Sequence, residues 1–420
     1  MNKHPDPMFP RFAAYGFLKN LRFFEPFLIL IFRSAGLSFF QIGLLYSIRD
    51  LINNVTEIPT GVMADAFGRR RAMVLSFSVY ILSFVIFYSF TDFYFYALGM
   101  VFFGLGEAFR SGTHKALILE HLKQTGRLNQ KVSYYGRTRG FSQLGSAFNS
   151  LIAAGLVFFT GDYRAMFLAT ILPYVLDLIN LATYPKELDG ELAQLDHGVI
   201  WRQTAVTFRD FFGIFTDRDA MRTILNSASF TALFKITKDY LQPIVEGFAL
   251  SLPLLLWLDD VQRGGLVVGG VYFFIYLMTS YASRSADRIS HRFSGLAAAI
   301  NWTFLLGAGF LFVAGLATWR SLALLAILVF LGFYVLQNLR KPMSVAFISD
   351  QISQRVMASG LSVEAQFTTI LVAIFAPALG ALADWLGVGL ALAILGVVAL
   401  AFFGLVRVSP PSPSSNKMAR

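Results

Sequence analysis

Long apolar runs separated by short polar stretches form the main pattern of the chain. Two examples, Ala72–Phe90 and Gly387–Val406, carry no charged residue, and a helix of about 20 such residues crosses roughly 30 Å of hydrocarbon. The apolar positions are continuous rather than alternating, which favours helices over a β-barrel. The pattern predicts an all-α integral membrane protein with twelve spans, at about residues 11–33, 39–62, 71–90, 93–119, 132–160, 164–184, 222–250, 265–285, 294–315, 321–348, 358–383 and 387–407.

The polar stretches divide the spans into two groups of six. The densest charge lies between spans six and seven, and the last residues, SPPSPSSNKMAR, are rich in Pro and Ser, which is typical of disorder. We therefore expect a six-helix half at 1–185, a cytoplasmic linker at 186–219, a second six-helix half at 220–408 and a disordered cytoplasmic tail at 409–420.

An internal repeat relates the two halves. Three stretches of the first half resemble three of the second, in the same order: Phe23–Pro26 and Tyr240–Pro243, Gly61–Arg71 and Ser283–Phe293, and Gly106–Leu122 and Leu336–Ile352. Two pseudo-symmetric halves are the architecture with which many secondary transporters alternate access to a central site.

Composition and charge support a membrane protein and argue against a nucleic-acid surface. Hydrophobic residues make up 56% and charged residues 14% of the chain, against about 25% charged in soluble domains. The net charge of +10 comes from basic residues concentrated in alternate loops, the distribution of cytoplasmic loops. We expect a multi-pass protein of the bacterial inner membrane with both termini in the cytoplasm. There is no cysteine, and the five histidines lack metal-ligand spacing, so we expect neither a metal nor a cofactor.

The loop after span two, GVMADAFGRR, carries a recognisable motif. It resembles the G-x-x-x-D-(R/K)-x-G-R-(R/K) signature of the major facilitator superfamily, except that Ala66 replaces a basic residue. The resemblance implies the twelve-helix fold of that family and a latch that holds the cytoplasmic side in one conformation. The latch residues that the resemblance and the repeat assign are Gly61, Asp65, Gly68, Arg69, Arg70, Asp287 and Arg292.

Charged residues inside the spans are the candidates for function. An ionisable residue in a span is costly and usually faces the interior of the bundle, and in this family spans one, four, seven and ten line the central cavity. The excess of cations in the first half favours an anionic or zwitterionic organic substrate, because Arg forms forked hydrogen bonds with carboxylates. The predicted substrate-binding residues are Arg22, Glu25, Arg110, Arg139, Lys238, Gln242, Gln337 and Arg340.

The repeat also indicates which half carries protons. Glu25 and Glu107 of the first half match Gln242 and Gln337 of the second, and a glutamine cannot titrate. We predict Glu107 as the first proton-coupling carboxylate, with Arg110 tuning its pKa, and Glu25 as the second. A static Glu107–Arg110 pair is the competing interpretation.

The sequence thus predicts a proton-coupled secondary transporter of a small organic solute. Its expected partners are that solute, protons and the lipid bilayer, with no nucleic acid. We expect the protein to be a monomer and to act as a transporter rather than an enzyme. Three alternatives stay open: a multidrug-type exporter of lipophilic or cationic compounds, a relative that has lost transport and serves as a sensor or assembly factor, and a membrane enzyme that acts on lipid. Substrate, direction of transport and coupling ion are not determined by the sequence.

Overall fold

The computed structural model describes residues 6–190, 218–290, 292–351 and 357–409, without the side chains at 132, 218, 284, 286, 287, 349–351 and 357–361. The predicted linker lies mostly outside these ranges and the tail almost entirely so. The described part of the chain folds into α-helices joined by short turns. These are α1 Phe9–Leu18, α2 Leu28–Ser34, α3 Phe39–Phe67, α4 Arg69–Ser89, α5 Phe93–Arg110, α6 Thr113–Gln124, α7 Lys131–Thr160, α8 Ala165–Ala182, α9 Arg218–Thr237, α10 Leu241–Ser251, α11 Asp260–Ser290, α12 Leu296–Trp319, α13 Ala323–Gln351, α14 Met357–Leu386 and α15 Val388–Val406.

Eight of these helices are long and apolar enough to cross a membrane. They are α4, α8, α12 and α15, and the greater part of α7, α11, α13 and α14. The other four predicted spans contain charges or interruptions. The helical architecture with two six-helix halves that the sequence predicts is therefore the architecture of the protein.

Three spans that the sequence predicts as continuous helices are divided in the structure. The first is divided between α1 and α2 by a short 3₁₀ helix, Glu25–Phe27, and the seventh between α9 and α10 by another, Lys238–Tyr240. A proline lies at each division, Pro26 inside the first 3₁₀ helix and Pro243 shortly after the second, and proline lacks the N–H that a continuous helix needs. The fourth span divides into α5 and α6 at Gly112, whose φ of 72° is a left-handed conformation.

The chain forms two compact units. Of the described residues, unit 1 comprises 6–35, 48–190 and 254–276, and unit 2 comprises 36–47, 218–253, 277–290, 292–351 and 357–409. Within unit 1, α4 packs against α5 and α8, and α1 packs against α7 and α8. Within unit 2, α12 packs against α13 and α15, and α9 packs against α14. Each unit thus has its own helical core.

A close approach between α1 and α7 sets the position of the first charged residues. A Cβ on Gly145 of α7 would lie 2.4 Å from the carbonyl oxygen of Phe17 on α1, so only glycine permits this contact. The helix ends at Leu18, one residue beyond Phe17, and the side-chain amide of Asn20 donates to the Gly16 carbonyl at 2.6 Å. The break places Lys19 and Arg22 on irregular backbone inside unit 1.

Candidate functional site

Two arginines and one glutamate meet in unit 1. A guanidinium nitrogen of Arg22 donates to Oε1 of Glu107 at 2.6 Å, and the guanidinium of Arg110 donates to Oε2 of the same carboxylate. The exposed fractions of the three side chains are 17%, 19% and 22% for Arg22, Glu107 and Arg110. Each carboxylate oxygen therefore has its own guanidinium, an arrangement of charge-assisted hydrogen bonds that holds a negative charge on Glu107. We call Arg22, Glu107 and Arg110 the charge cluster.

Two tyrosines complete the hydrogen bonds of the charge cluster. The hydroxyl of Tyr80 on α4 accepts from Arg110 Nε at 3.1 Å and from Arg22 at 3.5 Å. The hydroxyl of Tyr174 on α8 accepts from Arg22 Nε at 2.7 Å and donates to the Lys19 carbonyl at 3.2 Å. Both tyrosine rings are fully buried. Helices α4 and α8 thereby fix the orientation of both guanidinium groups.

The charge cluster carries one positive charge that no carboxylate in it balances. Two guanidiniums face one carboxylate, and the Lys19 ammonium lies close by, 5.1 Å from the centre of the Tyr15 ring. Aromatic faces also line the cluster, since the Arg22 guanidinium lies 5.2 Å from the Phe103 ring centre and 5.4 Å from that of Tyr80. The excess positive charge attracts an anionic group, while the aromatic faces stabilise the guanidinium of Arg22 by cation–π contact.

The equivalent arginine of unit 2 is bound differently. Arg340 on α13 is 1% exposed and donates to the Ile300 carbonyl, to the Thr303 hydroxyl at 2.6 Å and to the Asn226 side-chain carbonyl. Its guanidinium lies 4.4 Å from the centre of the Phe230 ring. These neutral partners come from α9 and α12, so Arg340 ties three helices together. This position favours a bracing role over the substrate contact predicted for Arg340.

Two other predicted residues of unit 2, Lys238 and Gln242, lie at the break between α9 and α10, and a third, Gln337, lies on α13. Lys238 donates to the buried carboxylate of Asp239 at 2.6 Å, and the Gln242 amide lies 3.5 Å from the same oxygen. Gln242 is fully buried and Gln337 is 9% exposed. The repeat offset that pairs Glu25 with Gln242 also aligns Arg22 with Asp239, so an arginine at the first break corresponds to an aspartate at the second.

Two predicted residues of unit 1 lie apart from the charge cluster. Glu25 is partly buried at the start of the 3₁₀ helix, one turn after Arg22, and its N–H donates to the Arg22 carbonyl at 2.9 Å. Arg139 is exposed on α7. Their roles in substrate or proton binding stay predictions.

The predicted latch forms a sharp turn between α3 and α4. Gly68 has φ 102°, and Asp65 accepts from Arg69 at 3.1 Å one turn away. The Arg70 N–H donates to Asp189 at 2.7 Å, and the Arg70 guanidinium donates to the Ala182 carbonyl at 3.0 Å. Elsewhere, Gly61 lies inside α3 and Arg292 is exposed, while the side chain of Asp287 lies outside the described set.

Sequence reasoning missed three residues that the structure places at these sites. Tyr80 and Tyr174 bind the charge cluster, and Asp189 caps the start of α4 beside Gly68. The signal for the tyrosines was a hydroxyl in the middle of an apolar span, because a buried Tyr usually finds a hydrogen-bond partner. Asp189 gave no such signal, since it lies after the sixth span and meets α4 only through the fold.

The divided spans and the buried charge cluster define a polytopic membrane protein of the transporter type. The family model of the Major Facilitator Superfamily matches residues 12–365, and the chain belongs to that family. None of the curated proteins matches this chain. Among the described residues, no group of three or more His, Asp or Glu is arranged to hold a metal ion.

Solved structures with a similar fold are transporters of organic solutes. The nucleoside transporter NupG is 13% identical with a TM-score of 0.73, covering 96% of this chain and 100% of its own. A POT family transporter in complex with 5-aminolevulinic acid is 16% identical with a TM-score of 0.66, covering 95% and 93%. The human organic anion transporter MFSD10 is 17% identical with a TM-score of 0.57, covering 96% and 100%. At these identities the likeness establishes the fold alone.

Proposed function

We propose that the protein is a secondary active transporter of a small organic solute with an anionic group, either an anion or a zwitterion. The observation that carries this proposal is the charge cluster, in which Arg22 and Arg110 share the single carboxylate of Glu107. Two guanidiniums with one carboxylate leave a positive charge for the substrate. Arg22 and Arg110 are therefore the proposed anion-binding residues.

The proposed binding step is an exchange of carboxylates. Glu107 is the resident counter-ion, and an incoming carboxylate replaces it on one or both guanidiniums. Tyr80 and Tyr174 keep the two arginines oriented while this happens, because their hydroxyls bind the Nε atoms. Once displaced, Glu107 is free to pair with the ammonium group of a zwitterion or to take up a proton. The rings of Phe103 and Tyr80 provide an apolar wall.

Alternating access and proton coupling are part of the proposal. The broken first and seventh spans carry the charged residues at their breaks, as in transporters that bind substrate at discontinuous helices. The turn at Gly68 and its partners Arg70 and Asp189 are the proposed cytoplasmic latch. The proposed location is the bacterial inner membrane, with both termini in the cytoplasm, as the loop charges favour. We propose Glu107 and then Glu25 as the carboxyls coupled to substrate exchange.

The related structures support a polar organic substrate without identifying it. Their named ligands and substrates are nucleosides, peptides, 5-aminolevulinic acid and organic anions. All but the nucleosides can carry a carboxylate or another anionic group. This is consistent with the excess positive charge of the cluster.

A thermal-stability screen of the purified protein tests the substrate class. Small organic anions, zwitterions, cations and neutral lipophiles are added to wild type and to Arg110→Gln, and a ligand above its dissociation constant raises the melting temperature. We expect anions or zwitterions to stabilise the wild type and not the variant. Stabilisation by cations or lipophiles alone, equal in both proteins, would contradict the assignment and favour a multidrug-type exporter.

Flux of the stabilising compound into proteoliposomes tests transport itself. We expect uptake that responds to an imposed pH gradient. Absence of flux with every stabilising compound would instead favour a sensor or assembly factor, and turnover of lipid without flux would favour a membrane enzyme.

A further inference from the structure

A second carboxyl group, Asp177, lies buried on α8 outside the charge cluster. Its side chain has no exposed surface. One oxygen, Oδ1, accepts from the side-chain amide of Asn180 at 3.2 Å, and the other, Oδ2, is buried without a hydrogen-bond partner among the described residues. No Lys, Arg or His nitrogen in the described part of the chain lies within 4.0 Å of it. A carboxyl in this position is not used by the proposed binding step.

The groups around Asp177 come from four segments. Lys19 at the end of α1 is the cation whose charge acts on it, and the hydroxyls of Tyr15 on α1 and Tyr184 after α8 lie within electrostatic reach. Beyond Tyr15, the ring of His114 on α6 stacks at 3.5 Å and its Nε2 lies 3.4 Å from the Tyr184 hydroxyl. Helix α4 contributes Tyr80, whose hydroxyl accepts hydrogen bonds from Arg22 and Arg110. Lys19 thus lies within electrostatic reach of both Asp177 and the charge cluster.

A comparison with another buried aspartate shows what is unusual here. Asp50 on α3 is 6% exposed, and its carboxylate accepts from Arg49 Nε at 2.9 Å. An ionised carboxylate can be buried with such a partner, whereas burying one without a partner costs so much that the group is usually found neutral. A neutral carboxyl also supplies an O–H donor. The contrast with Asp50 indicates that Asp177 holds a proton.

We propose that Asp177 is protonated in this conformation and is an exchangeable proton site of the transporter. The step is a simple transfer: the O–H bond of the carboxyl breaks, the proton passes to water and the negative charge stays on Asp177. Asp177 then attracts the Lys19 ammonium and withdraws one positive charge from the neighbourhood of Arg22 and Arg110. Proton and anion therefore favour each other's binding. The role in transport rests on the proposed function, but the presence of the proton does not.

Infrared difference spectroscopy tests the proton directly. The C=O stretch of a protonated carboxyl is separate from that of a carboxylate, and we expect such a band in wild type at neutral pH that is lost in Asp177→Asn. In D₂O the band should shift, which shows that the proton exchanges with solvent. Absence of the band would overturn the proposal. A band that does not shift in D₂O would overturn exchange and leave a static buried acid.

Labelling with 13C-aspartate keeps the test independent of the folding of the variant. If the wild type holds a protonated aspartate, the label moves its band whether or not Asp177→Asn can be purified. No labelled band in the wild type would overturn the proposal without any variant. Flux in proteoliposomes is a separate measurement, so a failed transport assay would contradict the proposed function and leave the infrared result intact.

A matched pair of variants provides a second readout. In Asp177→Asn an amide replaces a neutral carboxyl of the same shape, so we expect an unchanged melting temperature. In the control Asp50→Asn, a charge is removed from a buried ion pair, and we expect a clear fall. An equal fall in both variants would mean that Asp177 is ionised and paired with Lys19, which would overturn the proposal.

Discussion

Arg110 of unit 1 and Arg340 of unit 2 are equivalent in the internal repeat, yet the structure binds them in opposite ways. Arg110 is 22% exposed and shares the carboxylate of Glu107 with Arg22. Arg340 is 1% exposed and donates to a backbone carbonyl, a hydroxyl and an amide. The two halves differ three positions before the arginine, where the first half has Glu107 and the second has Gln337.

The comparison teaches that a buried arginine has two kinds of role. Where its partner is a carboxylate, an anionic ligand can compete for the guanidinium, and the site can change its charge. Where its partners are neutral groups of neighbouring helices, nothing is released by a ligand and the arginine holds the helices together. We therefore propose that the arginines of unit 1 form a site that can exchange ligands and that Arg340 of unit 2 is a brace.

The largest expected effect comes from removing the brace. Arg340→Ala leaves Asn226 and Thr303 without their charged donor and opens a cavity, and we expect a loss of about 3–5 kcal/mol of unfolding free energy. The exposed Arg139→Ala is the control, with a change within about 0.5 kcal/mol. The melting temperature in detergent measures both. A small effect of Arg340→Ala would break the distinction between brace and ligand site.

The second-largest expected effect comes from a substitution that gives unit 1 the glutamine that unit 2 has. Glu107→Gln removes the resident counter-ion of Arg22 and Arg110, and we expect a loss of about 2 kcal/mol because two partly buried guanidiniums lose their carboxylate. Without the competing carboxylate, stabilisation of the variant by organic anions should exceed that of the wild type. The ligand-induced shift in melting temperature checks this. If the variant lost its response to anions, Glu107 would be a direct substrate ligand instead of a counter-ion.

A third effect extends the comparison to the loops. The repeat places Ser290 at the position of Gly68, and Ser290 ends α11 whereas Gly68 has φ 102° and begins a turn. In Gly68→Ala the new Cβ would lie 2.8 Å from Asp189 Oδ2. The backbone strain alone costs about 1–2 kcal/mol. Gly61→Ala has open space around its Cβ and should be neutral or slightly stabilising. Equal melting temperatures of the two variants would show that the turn is not constrained.

The smallest effect concerns pH at the N-terminal end of unit 1. Burial raises the pKa of the Asp6 carboxyl, but hydrogen bonds from His121, the Met8 N–H and Tyr134 outweigh burial and lower the pKa below its usual value. Because the pKa is depressed in the folded state, Asp6 contributes stability at neutral pH that is lost as the pH falls below about 4.

Asp6→Asn isolates this contribution. We expect it to lower the melting temperature at pH 7 by the equivalent of about 1 kcal/mol or less, and to have little effect under acidic conditions. A difference that is the same at both pH values would show that shape rather than charge holds the N-terminal segment.

Some site residues could be found from the sequence because their signal is local. A charge in an apolar span is visible without any structure, and so Arg22, Glu107 and Arg110 are predicted. The roles of Tyr80, Tyr174 and Asp177 are not visible in the sequence. A tyrosine is common in membrane spans, and a single aspartate does not show whether a cation lies beside it. Their partners come from other helices, and only packing brings these together.

The sequence by itself determined the helical membrane fold, the two halves, the family and the charged residues of the first half, because hydrophobic length, loop charge and motif spacing are properties of the chain. The tertiary structure decided which charges meet. It divided the first and seventh spans near their prolines, gave Glu107 two guanidiniums and bound Arg340 by hydrogen bonds to neutral groups. Among the described residues, it left Asp177 without a cation at ion-pair distance. The physical reason is that the strength of a charge interaction depends on distance and burial, and both are set by how the helices pack.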